Sequence, residues 1–432
     1  MSKLNRRTIV GVGAGLCAGL LLSLTGAAPG AAQTLEKSTI KIGVAGALKQ
    51  PFGQASVRGA EMAADEINKA GGVLGAKVEP VFADTEATAP KATEAIERLY
   101  YRDKVDAIVG AYSSEEATAF QEESAKLKLN MLFHGTTHIL DDKFKADPEK
   151  YKYYWNYITS DLHYTDYVRE YQLGVLVDAL KKQLGVSKIN VGVLTDAALW
   201  TEVMHPGFQE AVKKRPDTEL VYVGKISRDA VDFTNELTEI RNKKVQLMLC
   251  ATGYSGAYSM IKQAAELQVP VLFSGMITLS WSTSNFIKAV GVEAASYTSS
   301  LGVATMPTTP HTVKLLQDYA RRYSGGAPDM DVGPTYNGVK AYAVAVKKAG
   351  SLDKDKVANA LAQVRLSEDD AWGAKEFHFD ANHRIIVSPK DGLIVYSYQY
   401  QPDGKVQLFD PPEYKTVEIK LPAYVLSEWR KK

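Results

Sequence analysis

The chain has 432 residues, with 51 Lys and Arg against 50 Asp and Glu. That balance sets up no field that would gather nucleic acid or an acidic membrane. Of the two cysteines, Cys17 falls in an N-terminal leader, and a lone Cys250 excludes an internal disulfide in the remainder.

The leader reads as an export signal over residues 1–32. Lys3, Arg6 and Arg7 form a basic start, an uncharged run follows, and Gly30 and Ala32 are the small residues a signal peptidase needs near the 32–33 bond. Its apolar core, residues 9–24, falls short of the roughly twenty apolar residues of a membrane anchor. Arg6-Arg7 before Thr8-Ile9-Val10 is a partial twin-arginine pattern, so either the twin-arginine or the ordinary secretory route fits. Leu16 is too bulky for a lipoprotein signal at Cys17. About 400 residues remain, more than one core holds, which predicts two domains.

Short apolar runs then alternate with amphipathic stretches, the signature of parallel sheets covered by helices. The pattern predicts a strand over 40–44 and a helix over 59–70 closed by Gly71-Gly72. It predicts a strand over 78–83, a helix over 90–102 opened by Pro90, a strand over 105–109, a helix over 114–126 and a strand over 130–133. An aromatic-rich stretch, 151–157, reads as a connector. A second series follows: strands over 189–194, 220–224, 245–250 and 271–273, with helices over 205–214, 233–241 and 255–266 between them. Helices over 312–323, 335–349 and 354–362 come later. Cys250 closes an apolar run and reads as a buried small hydrophobe. The tail after Gln401, with Val417, Ile419 and Leu421 alternating, reads as a strand-like segment wrapped on the surface.

Several motifs in this order resemble the periplasmic leucine/isoleucine/valine-binding proteins of ABC importers. They are a loop ending Pro51-Phe52-Gly53, Gly59-Ala60 leading to Ala64-Asp65-Glu66-Ile67-Asn68, and Gly71-Gly72-Val73-Leu74-Gly75. Val109-Gly110 before Ser113-Ser114, Gly135-Thr136-Thr137, Asp232-Phe233, Tyr336, Trp372-Gly373, Phe379-Asp380 and Asn382 complete the set. The resemblance implies an α/β fold of two interleaved Rossmann-like lobes joined by a three-crossing hinge, the type I periplasmic-binding architecture. Lobe 1 would take residues 39–157 and 303–384, lobe 2 residues 158–302 and 385–402, leaving 403–432 as a C-terminal extension. It also implies a periplasmic, monomeric protein that closes on a small carboxylate and hands it to an ABC permease. A receptor subunit that reports its ligand to a signalling protein remains the other reading.

In open parallel sheets, ligands sit outside the carboxyl ends of the strands, where helix N-termini offer unpaired N–H groups. Ser113-Ser114 and Gly135-Thr136-Thr137 both fall there. The resemblance gives Ser114 and Thr137 the ligand's carboxylate and amino group, gives Gly135 a main-chain role, and makes Phe52, Trp200 and Tyr254 aromatic walls. Ser114 with Glu115 and Glu116 also reads as a plain helix N-cap, and each aromatic also reads as core. His134 reads as a wall of the cleft or a polar strand end. Where the family's amino-acid binders carry an acid for the ligand's ammonium, this chain has Ile277. An unpaired buried ammonium costs several kcal/mol. The expectation is therefore a carboxylate with an apolar or aromatic body, or else an acid shifted from that position.

The sequence has no Gly-x-Ser-x-Gly, P-loop or His-Glu-x-x-His motif, and Gly71-Gly72-x-x-Gly75 follows a helix, the wrong order for a dinucleotide fingerprint. His134 and His138 flank a strand end, which breaks helical spacing, and lack a third ligand. The expectation is a binding protein with no cofactor, no metal and no catalysis.

Overall fold

The computed structural model describes residues 34–303, 306–324 and 326–430. The expected export signal and its cleavage point lie outside the described residues.

The first sheet holds β1 (Thr39–Gly46), β2 (Lys77–Asp84), β3 (Ala107–Gly110), β4 (Met131–Phe133) and β5 (Tyr154–Asn156). Their order is β2-β1-β3-β4-β5, and every pair is parallel. The second holds β6 (Ile189–Asp196), β7 (Thr218–Ile226), β8 (Leu247–Thr252) and β9 (Leu272–Ile277) in the order β7-β6-β8-β9, again parallel. Strands β3, β4, β8 and β9 are buried along their whole length. Helices on both faces demand continuous apolar runs of this kind. In each sheet the chain reverses strand order beside its first strand, which opens a crevice at the carboxyl edge.

Strand β10 (Ser299–Val303) lies alongside β9, where Ser299 Oγ donates to Ser274 Oγ at 2.7 Å. A small antiparallel pair, β11 (Leu366–Ser367) and β12 (Glu376–Phe377), precedes β13 (Val395–Tyr400) and β14 (Val406–Asp410). The last two join β10 in an antiparallel sheet of order β10-β13-β14.

Several elements differ from the expected ones. Pro51-Phe52-Gly53 is the first turn of a helix, Pro51–Lys69, rather than the end of a loop. Proline suits that position because its missing N–H would find no intrahelical partner there. The helix packs on Val332–Ala349 so closely that a Cβ on Gly59 would run into the carbonyl of Val332. The aromatic connector is in fact strand β5, at the edge of the first sheet, with Tyr154 and Trp155 fully buried. A helical stretch from Asp161 to Leu184, with a π-helical segment Val168–Gln172 in its middle, was absent from the expected elements.

The tail is built into the molecule rather than laid on it. Strand β14 pairs with β13, and Gln399 exchanges two hydrogen bonds with the main chain of Lys420 at 2.9 and 3.0 Å. Ile419 and Leu421 are buried, and a helix, Ala423–Trp429, follows. Its Trp429 indole donates to Pro270 O at 2.7 Å.

The chain runs between the two parallel sheets just after β5, near β10 and again near Arg384. Arg384 is fully buried there. Its Nε donates to Asp141 at 2.8 and 2.9 Å, its Nη1 to Gly135 O and Ile158 O, and its Nη2 to Thr137 O. One guanidinium thus ties the loop after β4 to the point where the chain leaves the first sheet.

Candidate functional site

The carboxyl ends of β3, β4, β8 and β9 deliver Tyr112-Ser113-Ser114, His134 and Thr136, Tyr254, and Thr278 to one place. They line a small inner chamber of about 30 Å³, with Tyr164, Trp200, Met276, Trp281 and Met330 completing the wall. Tyr112, Tyr254, Thr278 and Met330 also line a larger outer chamber of about 380 Å³, which adds Phe52, Tyr258, Leu279, Arg228 and Asp329. Hydroxyl groups and a helix start gather at one side of the inner chamber, and aromatic side chains line both chambers.

The polar end is organised by a helix. Ser113 is the N-cap of Ser114–Leu127: its hydroxyl accepts from Glu116 N at 3.1 Å while Glu116 accepts from Ser113 N at 2.9 Å. This capping box satisfies two backbone donors reciprocally. It leaves the first-turn N–H groups of Ser114 and Glu115 without intrahelical partners, at the positive end of the helix dipole. Ser114 is therefore the first helical residue, not the cap, and its Oγ accepts from Thr137 N at 3.2 Å. Glu116 is buried and also accepts from the Thr85 hydroxyl. Burial raises its carboxyl above the ordinary range, against those hydrogen bonds.

Phe52 stacks on Tyr112 with centroids 3.7 Å apart and planes 13° apart. Across the chamber the Arg228 guanidinium lies 4.5 Å from the Tyr254 ring centroid and pairs with Glu115 of the opposite wall. Burial pushes the Tyr112 hydroxyl well above its usual range. It also lifts the Asp196 carboxyl, just past Leu194-Thr195 on β6, to about 7.

Of the expected contact residues, Phe52, Ser113, Ser114, His134, Thr136, Trp200 and Tyr254 face these chambers. Gly135, Thr137 and Ile277 do not line them. The Gly135 carbonyl is taken by Asn156 Nδ2 (2.6 Å) and Arg384 Nη1 (2.9 Å), and a Cβ there would lie 2.5 Å from Leu140. Its glycine serves packing. Thr137 is fully buried, with its carbonyl on Arg384. Ile277 packs into the second sheet's core beside Leu194, Cys250, Met260 and Phe273, and it is Thr278 that faces the cleft. Residue 277 therefore says nothing about the ligand's charge.

Tyr112, Tyr164, Tyr258, Thr278, Met330 and Asp329 were not anticipated. The strand-end rule that found Ser113 also reaches Tyr112. Nothing local marks Met330 or Asp329, which arrive from a distant segment. His134 and His138 form separate pairs, Nδ1 to Asp331 at 2.6 Å and Nδ1 to Asp161 at 3.1 Å. Among the described residues no cluster of three His, Cys, Asp or Glu could hold a metal. Cys250 is buried, and burial pushes its thiol far above the usual range, away from a nucleophile's.

Comparisons with known proteins bear on the fold and the family. A Leu/Ile/Val-binding protein homolog of Brucella melitensis is 25% identical over 424 residues, 92% of this chain and 96% of that protein. A branched-chain amino acid transporter substrate binding protein of Streptococcus pneumoniae, solved with isoleucine, superposes with a TM-score of 0.70 at 21% identity over 86% of this chain and 100% of its own. A solute binding protein of an R. palustris ABC transporter, solved with benzoate, gives 0.66 at 17% identity over 86% and 95%. These structures share the type I periplasmic-binding fold. The family model described as "Periplasmic binding protein" matches residues 39–404. The chain belongs to this periplasmic binding protein family, a family of solute-binding components of ABC transporters and not of enzymes.

Proposed function

We propose that the protein is the periplasmic component of an ABC importer, acts as a monomer, and captures a small carboxylate with an apolar or aromatic body. Branched-chain amino acids and aromatic or apolar organic acids are the candidate ligands. The two chambers carry this reading. Ser113, Ser114 and Thr136, with the first-turn N–H groups of Ser114 and Glu115 that the capping box leaves over, make a place suited to a carboxylate, and Phe52, Tyr112, Tyr254 and Tyr258 offer apolar surface for its body. The similar structures bear isoleucine in one case and benzoate in the other, so the fold accommodates either body. Residues 39–157 with 303–384 would close against 158–302 with 385–402, and the closed form would present itself to the permease.

A thermal-shift screen of small carboxylates tests the reading. A true ligand at a hundred times its Kd should add about 2.7 kcal/mol, and the matching carboxamide should add nothing. The reading fails if carboxamides stabilise the protein as well as the acids do.

A further inference from the structure

The two chambers share four wall residues, Tyr112, Tyr254, Thr278 and Met330, and these frame the passage between them. Tyr112 comes from the wall of the first sheet and crosses that passage. Its hydroxyl reaches to 3.5 Å from the Gly253 carbonyl, on the wall of the second sheet. The far side leaves no slack. A Cβ on Gly253 would lie 2.7 Å from Thr278 Oγ1, 3.3 Å from the Trp200 ring and 3.7 Å from the Tyr112 hydroxyl.

The tyrosine is held in this position. Gly110 and Ala111 take φ of 132° and 56°, and Ala111 N donates to Ala45 O at 2.8 Å. A left-handed alanine is uncommon and costs energy, and such strain gathers where a side chain has to be aimed. The Tyr112 N–H donates to Glu116 Oε2 at 3.2 Å, which fixes the backbone again. Phe52 covers one face of the ring at 3.7 Å, and the His134 ring meets it at 5.6 Å with the planes 60° apart. Swinging Tyr112 out of the passage would break the stack with Phe52.

The two volumes give this partition its consequence. The inner chamber, at about 30 Å³, holds about two water-sized groups, which the oxygens of a carboxylate already take. The body of the ligand then lies in the outer chamber, at about 380 Å³. The carbon next to the carboxylate falls between the two, beside Tyr112. A substituent on that carbon meets the tyrosine, whereas bulk carried farther out reaches the wider aromatic chamber.

We infer that Tyr112 is a specificity-determining residue of the cleft: it divides the two chambers and selects acids that are unbranched at the carbon next to the carboxylate and carry their bulk farther out. The inference rests on the carboxylate reading above and decides which bodies that site accepts.

Calorimetric titration with matched acids tests it: 3-phenylpropanoate against 2-methyl-3-phenylpropanoate, and hexanoate against 2-methylhexanoate, each branched acid as its separate enantiomers. In the unaltered protein the unbranched acid of the pair that binds should be preferred over either enantiomer by about tenfold or more, the usual effect of one extra carbon in a packed site. Tyr112→Ala should bring that ratio close to one. Tyr112→Phe, which keeps the ring and loses only the hydroxyl, should retain most of it. Equal binding within a pair by the unaltered protein overturns the inference and leaves the carboxylate reading intact. So does a ratio that survives in Tyr112→Ala, which would leave the tyrosine a purely structural role. If that variant does not fold, Tyr112→Leu is judged on the same terms, because its side chain is too short to reach Gly253. Leucine or phenylalanine bound where none of these acids binds also overturns the inference and leaves the carboxylate reading standing. Binding of none of them removes both readings.

Discussion

Arg384 is the residue on which the junction between the two sheets most depends. Its guanidinium is fully buried, and its donors are spread over Asp141, two carbonyls of the loop after β4 and that of Ile158. Replacing it with alanine leaves Asp141 without its partner and the carbonyls of Gly135, Thr137 and Ile158 without these donors. Such a change should cost about 3–5 kcal/mol, read as a lower urea midpoint with an unchanged slope. Asp196 gives a second test at this scale, through pH. Burial lifts its carboxyl from 3.8 to about 7, so between those values the folded chain holds a proton that the unfolded chain has released. Its favourable contribution is complete below about 4 and is lost as pH rises through about 7. His383 runs the other way. It is stacked on Trp155 with centroids 3.6 Å apart, and burial lowers its ring from 6.5 to about 4. Its contribution is present above 6.5 and is lost as pH falls through about 4. Asp196→Asn should therefore gain stability relative to the parent on going from pH 5 to pH 8, measured by chemical unfolding at each pH. A constant difference would show that this carboxyl is not the one that titrates.

At the scale of elements, the Ser113–Glu116 box fixes the helix start that faces the inner chamber. Ser113→Ala removes the hydroxyl that Glu116 N bonds to and should cost about 1 kcal/mol of stability. It should also weaken carboxylate binding, because the fraying turn is the one that presents the free N–H groups. Thermal melts and calorimetry on the same variant separate the two effects. The helix start was legible in the sequence, because an apolar run, then Gly110, then two serines before two glutamates, is a local pattern, but the cap was read one residue late, at Ser114 instead of Ser113. Most parallel strands were legible for the same reason: each is buried on both faces and reads as an apolar run. The helical stretch through residues 161–184 was not, because Tyr164, Tyr167 and Tyr171 blur its apolar period and its π-helical segment breaks the spacing. Strand β5 was missed because Tyr154, Trp155 and Asn156 make a strand too short to show alternation. Ile277 was misplaced by a single residue, and in a strand one residue is the difference between core and cleft. The Asp331–His134 pair could not be read locally at all, since its members stand 197 positions apart.

At the scale of the whole molecule, polar contacts cross the cleft. Arg228 pairs with Glu115 while lying over Tyr254, and Asn285 Nδ2 donates to Asp329 at 3.2 Å on the far side of the outer chamber. These bonds join the wall that carries Ser113–Ser114 to the wall that carries Tyr254 and Thr278, so they favour the arrangement in which the two walls face each other closely. Their strength decides what they can do. Arg228 and Glu115 are each about a third exposed, at 40% and 32% of the side chain, and an ion pair so placed is worth at most about 1 kcal/mol. That is too little to hold the cleft shut, and enough to shift the balance between open and closed forms. Ligand affinity scales with the closed fraction, so Arg228→Met should weaken binding by at most about fivefold. The unliganded variant should show a larger radius of gyration in small-angle scattering, while the saturated protein should match the parent. Salt near 1 M screens beyond about 3 Å, so it should bring the unliganded parent towards the variant's dimensions and leave the variant unmoved. A variant that stays as compact as the parent without ligand would mean that apolar contact across the cleft, not this pair, sets the resting position of the lobes.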